Sequence, residues 1–456
     1  MTHFNHRPYV VGETVAAIAT PPGEGGVAII RISGDQAISI VEKVYKGPIR
    51  SYKSHTMHLG AILSQDGSLI DEVMAVVMKA PKSYTGEETV EIHCHGGSLI
   101  SKSVLERILE VGARAALPGE FTFKAYMNGK IDLAQAEAVQ TLISAKNTLA
   151  LHAAENQLQG KLSQAIEQFQ TRLFDIAAIL EAWVDFPEEG LEFASFEEVT
   201  SSLEEIKKDM QRLAQTFEEG RVLEEGIKLC LSGVPNVGKS SLMNALLGKE
   251  RAIVTEIAGT TRDLLDADLK LGGLHFQLMD TAGIREAEER IEQEGIRRSI
   301  EAFQESDIIL IVLDATQGIR EEDADILRQM DLEKTVVIWN KIDLPSSHTQ
   351  PLGSIGISAK ERTGIDLLKE AILAKIWKRG APSKDEIVIT SLRHKQSLEQ
   401  ATGYLTQVIE GFKGGVSPEF LSADMRSTLL ELGTIIGKDM TEEILSAIFS
   451  KFCVGK

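Results

Sequence analysis

The chemistry of this sequence starts at Gly233-Val234-Pro235-Asn236-Val237-Gly238-Lys239-Ser240, which spells G-x-x-x-x-G-K-S. Glycines at both ends of such a stretch let backbone N–H groups turn inward around phosphate oxygens. Lys239 brings a point charge to the outer phosphates, and Ser240 offers a hydroxyl to a magnesium ion. The apolar alternation Ile227, Leu229, Leu231 ahead of it reads as a strand. The run from Ser241 through Leu242 to Leu247 behind it reads as a helix, whose N-terminus adds its positive dipole end. A Gly-rich turn lying by chance before a helix lacks this combination of strand, spacing and helix.

Further polar stretches follow in order: Gly259-Thr260-Thr261-Arg262-Asp263, Asp280-Thr281-Ala282-Gly283, Asn340-Lys341-Ile342-Asp343 and Ser358-Ala359-Lys360. Each alone is an ordinary turn sequence. In register behind the phosphate loop, their order and spacing resemble a translation-factor-type GTPase. Asp280 closes an apolar strand and reaches the magnesium shell, and the Gly283 N–H senses the γ-phosphate. Asp343 accepts from both the N1–H and the exocyclic amine of guanine, a pairing adenine does not offer, so the expected nucleotide is GTP. A Ras-type enzyme carries a water-orienting Gln directly after D-x-x-G, where this chain has Ile284. Glu286, Glu288, Glu289, Glu292 and Glu294 follow. Composition singles out none of them as the water positioner, and no arginine finger is evident in cis.

The elements that must position these residues belong to a chain of 456 residues, long enough for two or three domains. Hydrophobic and charged contents of 43% and 25% are those of a globular protein. No apolar run approaches a membrane span and residues 1–7 lack a signal-type apolar core, so a cytoplasmic location is expected. Cys94, Cys230 and Cys453 lie far apart, which argues against a disulfide framework or a cysteine-based zinc site. Lys and Arg number 48 against 67 Asp and Glu, giving −19. That balance argues against gripping a nucleic acid unaided, because phosphate neutralisation supplies much of such affinity.

Short β-type runs are expected at Val15–Ala19, Val27–Ile32, Met57–Leu63, Val73–Met78 and Val90–His93, with helices at Ala37–Val44 and Leu99–Leu109. This is a small α+β domain. Pro21 to Gly26 precedes a strand and reads as a tight turn. His93-Cys94-His95 suggests a metal, but on a strand the histidines share one face and Cys94 takes the other. From Leu133 the period turns helical through Leu180 and Trp183, up to the acidic break Asp185 to Gly190. A further helix is expected over Phe196 to Phe217, and the helical pattern resumes after Pro382. Neither helical portion has an evident partner except the other. The fold class expected is therefore multidomain: a small α+β N-terminal domain, a discontinuous all-α helical domain, and an inserted α/β P-loop GTPase domain.

The whole chain resembles the MnmE (TrmE) family of tRNA-modification GTPases. Beyond the GTPase core, the match is carried by Ala19-Thr20-Pro21-Pro22-Gly23 through Gly26 to Gly34, Tyr84-Thr85-Gly86-Glu87 through His95-Gly96-Gly97, and Pro118-Gly119-Glu120-Phe121. Lys130-Ile131-Asp132-Leu133-Ala134-Gln135-Ala136-Glu137 and the tail Phe452-Cys453-Val454-Gly455-Lys456 complete it. The resemblance implies a folate-binding, dimerising N-terminal domain over 1–119 and helical segments over 120–220 and 381–456. The inserted G domain would occupy 221–380. It implies work with an MnmG-type, FAD-dependent partner in a heterotetramer that would hold much of the tRNA. The product would be a carboxymethylaminomethyl or aminomethyl group at C5 of the wobble uridine, with a carbon from 5,10-methylenetetrahydrofolate or a related folate.

Carried over by position, Asn236 matches a potassium ligand, completed by Thr255, Ile257 and Thr260, and the ion would supply transition-state charge. Ser240 and Thr261 match the magnesium ligands. Glu292 matches the water positioner and joins Lys239 as a catalytic residue. The nucleotide-binding set then comprises Asn236, Val237, Gly238, Lys239, Ser240 and Ser241; Thr255, Glu256, Ile257, Ala258, Gly259, Thr260 and Thr261; Asp280, Thr281, Ala282 and Gly283; and Asn340, Lys341, Asp343, Ser358, Ala359 and Lys360. Arg31, Glu91, Lys130 and Lys456 match the folate site, where cations suit the glutamate tail and a carboxylate suits the pterin N–H groups. Cys453 has no base placed next to it by sequence and reads as a structural or positioning residue.

Two other readings compete. Gly411-Phe412-Lys413-Gly414 spells the G-x-x-G of a KH module, which would fit a ribosome-assembly GTPase, although its flanks read as helices. A purely regulatory switch would use the folate-like motifs only as a dimer interface.

Overall fold

The structure, a computed structural model, describes residues 10, 12–185, 195–247, 268–279, 303–328, 330–377 and 380–455. They form two compact units, one of 1–143, 157–207 and 400–456, the other of 144–156 and 208–399. The expectations on the acidic break past Asp185, on Thr255 to Thr261, Asp280 to Ile284, Glu292 and Lys456 lie outside the described residues.

The first unit is built on a sheet of Val15–Ile18 (β1), Val27–Ser33 (β2), Tyr45–Lys46 (β3), Met57–Leu63 (β4), Leu69–Met78 (β5), Thr89–His95 (β6) and Arg114–Ala115 (β7), in the order β3-β4-β5-β6-β2-β1-β7. Alternation on β2 sends Ala28, Ile30 and Ile32 to one face. There they join Val73, Ala75 and Val77 of β5 and Val90, Ile92 and Cys94 of β6 in one core. Helices Ala37–Glu42 (α1) and Ser98–Glu110 (α2) close that core through Ile40, Val41, Val104 and Ile108. The opposite face carries rows set by register: Leu59, Met74, His93 and Ile29, then Met57, Val76, Glu91 and Arg31. On that face Leu59 is 70% exposed, Val27 57% and Met57 50%. Cys94 points into the core, and His95 Nδ1 bonds to Asp71 Oδ1 at 2.7 Å. Strands β3 and β7 are two residues each, too short to show a period in sequence.

Glu120–Met127 (α3) is anchored by charge. Lys124, with no exposed surface, donates to Glu87 Oε2 at 2.7 Å and to Glu13 O at 2.6 Å, while Glu120 takes the Arg114 guanidinium. Leu133–Ser144 (α4), Thr148–Leu158 (α5) and Lys161–Asp185 (α6) follow, then Phe196–Gln215 (α7). Far along the chain, Pro418–Ile435 (α13) packs along α6 and buries Met425 and Leu432 in the unit that also buries Leu162, Ile166 and Leu173. Gln170 Nε2 donates to Leu429 O at 3.1 Å across this seam.

In the second unit the sheet runs in the order β13-β12-β11-β8-β10-β9. Its strands are Ile227–Ser232 (β8), Asp268–Leu271 (β9), Leu274–Met279 (β10), Ile308–Asp314 (β11), Thr335–Asn340 (β12) and Ile355–Ile357 (β13). All pair parallel except the β9–β10 hairpin. Strand β11 is buried along its whole length, as expected of a central parallel strand covered on both faces. Lys239–Leu247 (α9), Glu321–Arg328 (α10) and Ile365–Ile376 (α11) accompany it.

The helix expected over Phe196 to Phe217 is α7, and after a break at Thr216 a further helix, Phe217–Glu225 (α8), follows where none was expected. The break is held by tertiary bonds. Thr216 Oγ1 donates to Leu213 O and accepts from Ile389 N at 3.0 Å, and a Cβ on Gly220 would lie 2.0 Å from Ile389 O. The segments leading into and out of this sheet therefore run side by side. The G-x-x-G candidate is the last turn of Leu392–Lys413 (α12) and the turn after it. Gly411 there sits where a Cβ would come 2.5 Å from Leu421 of α13. It serves close helix packing.

Candidate nucleotide site

The loops at the C-terminal ends of β8, β11 and β12 converge, the place where ligands bind in open parallel sheets. Gly233 has φ +138, and a Cβ there would stand 2.4 Å from Val312 O, so only glycine lets the loop leave β8 against β11. Gly238 has φ +101, and a Cβ would meet Asn340 Nδ2 at 2.3 Å. Between them Asn236 is exposed and left-handed at φ +67, a conformation asparagine tolerates better than most residues. Lys239 Nζ spans the loop, donating to Gly233 O at 2.5 Å and Val234 O at 2.9 Å. Ser240 and Ser241 follow on the first turn of α9, which Leu242 and Leu246 seat in the core.

Asn340, 2% exposed at the end of β12, joins the loops. Its Nδ2 donates to Val237 O at 2.8 Å and its Oδ1 accepts from Ala359 N at 3.0 Å. Lys341, at φ +70, donates from Nζ to Asn236 O at 2.8 Å and to Asp314 Oδ2 at 2.6 Å. Asp343 stands exposed two residues on. The Ser358 segment is braced by paired backbone bonds with Thr363, and Ser358 Oγ accepts from Glu361 N at 3.0 Å. Ala359 is buried beside it and Lys360 exposed.

Sequence reasoning thus named Asn236 to Ser241, Asn340, Lys341, Asp343 and Ser358 to Lys360, and these the fold brings to one end of the sheet. It missed Asp314 and Thr316. Thr316 N and Oγ1 both donate to Asp314 Oδ1, at 2.9 and 2.6 Å. Burial would raise the Asp314 carboxyl, but the bonds from Lys341 and Thr316 outweigh it and hold the group below the usual carboxylate range.

A second polar cluster lies on the open face of the first unit's sheet. Arg31 Nε donates to Glu91 Oε1 at 2.9 Å, and its Nη1 reaches Gly455 O at 3.3 Å. The guanidinium also lies over the Tyr84 and Phe121 rings, 5.9 and 5.7 Å from their centroids. His93 Nε2 is 3.5 Å from Glu91 Oε2. Lys130 donates to Pro81 O at 3.1 Å, in the segment that carries Tyr84. Cys453 is exposed, and its carbonyl accepts from Gly119 N at 3.3 Å.

A family model described as MnmE helical domain matches residues 133–453, and one described as GTP-binding protein TrmE N-terminus matches residues 14–130. A tRNA modification GTPase MnmE of Protochlamydia amoebophila (strain UWE25) is 60% identical over 456 residues, 99% of this chain and 100% of that protein. Proteins of the same name from Chlamydia felis (strain Fe/C-56) and Clostridioides difficile (strain 630) are 43% and 39% identical, each over 98% of this chain and 100% of its own length.

Proposed function

This chain belongs to the MnmE family of tRNA modification GTPases, and on that premise we propose that it binds and hydrolyses GTP in the service of wobble-uridine modification. The observation that carries the GTP reading is the Asn340–Lys341 brace. It ties the phosphate loop to the segment that presents Asp343 at the surface. Asp343 then accepts the guanine N1–H and amine hydrogens, and Lys239 and the backbone of residues 236–241 hold the phosphates.

The donor set suits the ions. Asn236, with its carbonyl already held by Lys341, has an exposed side chain for potassium, and Ser240 opens α9 where a magnesium ligand belongs. Thr255, Ile257 and Thr260 would join Asn236 around potassium, Thr261 would join Ser240 on magnesium, and Glu292 would orient water. The cations supply positive charge to the phosphates when bound.

For the modification itself, Arg31, Glu91 and Lys130 would hold a tetrahydrofolate together with Lys456. The hydrogen-bonded pair Arg31–Glu91, flanked by two aromatic rings and the C-terminal tail, supports this. The folate supplies a one-carbon unit. The apolar, exposed rows of Leu59, Met57 and Val27 beside that pair support a homodimer through this face. An MnmG-type flavoprotein would complete a heterotetramer and hold much of the tRNA, in keeping with a charge of −19. The side-by-side segments at Thr216 and Ile389 support insertion of the G domain into a helical domain completed by α6 and α13.

Asp343→Asn tests the guanine assignment. Nucleotide competition should show preference moving from GTP to xanthosine triphosphate, and an unchanged GTP affinity would refute it.

A further inference from the structure

We infer that Asp314 is a positioning residue for guanine-nucleotide binding: it fixes Lys341 so that one ammonium ties the guanine loop to the phosphate loop. The inference rests on the GTP reading above and adds a residue to it. Asp314 is the last residue of β11, in register with Asn340 of β12, and is 1% exposed. Its two oxygens have separate tasks. Oδ1 takes both donors of Thr316, at 2.9 and 2.6 Å, which fixes the plane of the carboxylate; Oδ2 takes Lys341 Nζ at 2.6 Å. The same Nζ then reaches Asn236 O at 2.8 Å.

A lysine holds such a place poorly by itself, because its stem is flexible and its ammonium strongly hydrated. The Lys341 side chain is 29% exposed, so water competes for it, and its backbone at φ +70 is a conformation that lysine rarely adopts. The buried carboxylate holds both in place. Loss of its charge frees Lys341 to turn to water and leaves the loop that carries Asp343, and the carbonyl of Asn236, without their common tether. Direct contact with nucleotide is made by Lys341 and Asp343; Asp314 acts through them.

The test follows dissociation of fluorescent GTP and GDP from the full chain and from Asp314→Asn, Lys341→Met and the double variant, with KM and kcat for GTP. Asp314→Asn should release both nucleotides about tenfold faster and raise KM more than it lowers kcat. The double variant should be no worse than Lys341→Met alone, the mark of two residues acting as one. Release within about twofold of wild type, or losses that add, would overturn the inference. If thermal unfolding shows that Asp314→Asn does not fold, Thr316→Val decides instead. It removes one bond to Oδ1, and release about threefold faster is expected, unchanged release overturning. A wild-type chain that does not prefer GTP to ATP fails the GTP reading itself. A selective wild type with an unaltered Asp314→Asn fails only the role given to Asp314.

Discussion

Asn340 and Lys341 act chiefly by bonding to other loops, so their effect on the site exceeds that of their own chemistry. Asn340 satisfies a carbonyl of the phosphate loop and an N–H beside Ser358, both in the interior, and Lys341 joins Asn236 to Asp314. Cys94 and Cys230 show the opposite case, residues that burial makes inert. Burial pushes the Cys94 thiol up to about 11 and that of Cys230 to about 12, whereas Cys453 is exposed. Thiolate is the reactive form, so a maleimide at neutral pH should label Cys453 quickly and the other two only after denaturation. Peptide mapping of the labelled protein checks this. Rapid native labelling of Cys94 or Cys230 would contradict their packing.

At the scale of elements, α3 is fixed to the N-terminal sheet by the buried pair Lys124–Glu87. Lys124→Met would leave the Glu87 carboxylate without its cation in the interior, a change that typically costs about 3–5 kcal/mol. Urea unfolding followed by circular dichroism should show the loss, and a stability equal to wild type would mean that Glu87 readily finds another partner. The major strands of this sheet and the strand–loop–helix at Gly233 were legible because alternation and glycine spacing are local signals. Helix α8 was not, since what sets its start is tertiary: Thr216 bonds to Ile389, far away in sequence. Asp314 was illegible for the same reason. An aspartate at the end of an apolar strand has no motif of its own, and its partner Lys341 is supplied by the pairing of β11 with β12.

At the scale of the whole molecule, the chain joins a G domain whose loops bind guanine nucleotide to a sheet domain bearing the Arg31–Glu91 cluster and an exposed apolar face. Among the described residues no helix is long and apolar enough to cross a membrane. Family membership makes the chain a tRNA modification GTPase, and under the function proposed above GTP turnover in one part would serve uridine chemistry at the Arg31–Glu91 part and a flavoprotein partner. The low share of Lys and Arg, 48 against 67 acidic residues, fits the proposal that a partner would hold much of the tRNA. The most direct test is mass spectrometry of tRNA nucleosides from cells lacking this protein. The C5 aminomethyl-type wobble uridines should disappear and return when the chain is restored, whereas an unchanged nucleoside profile would contradict the account and leave a GTPase switch without uridine chemistry.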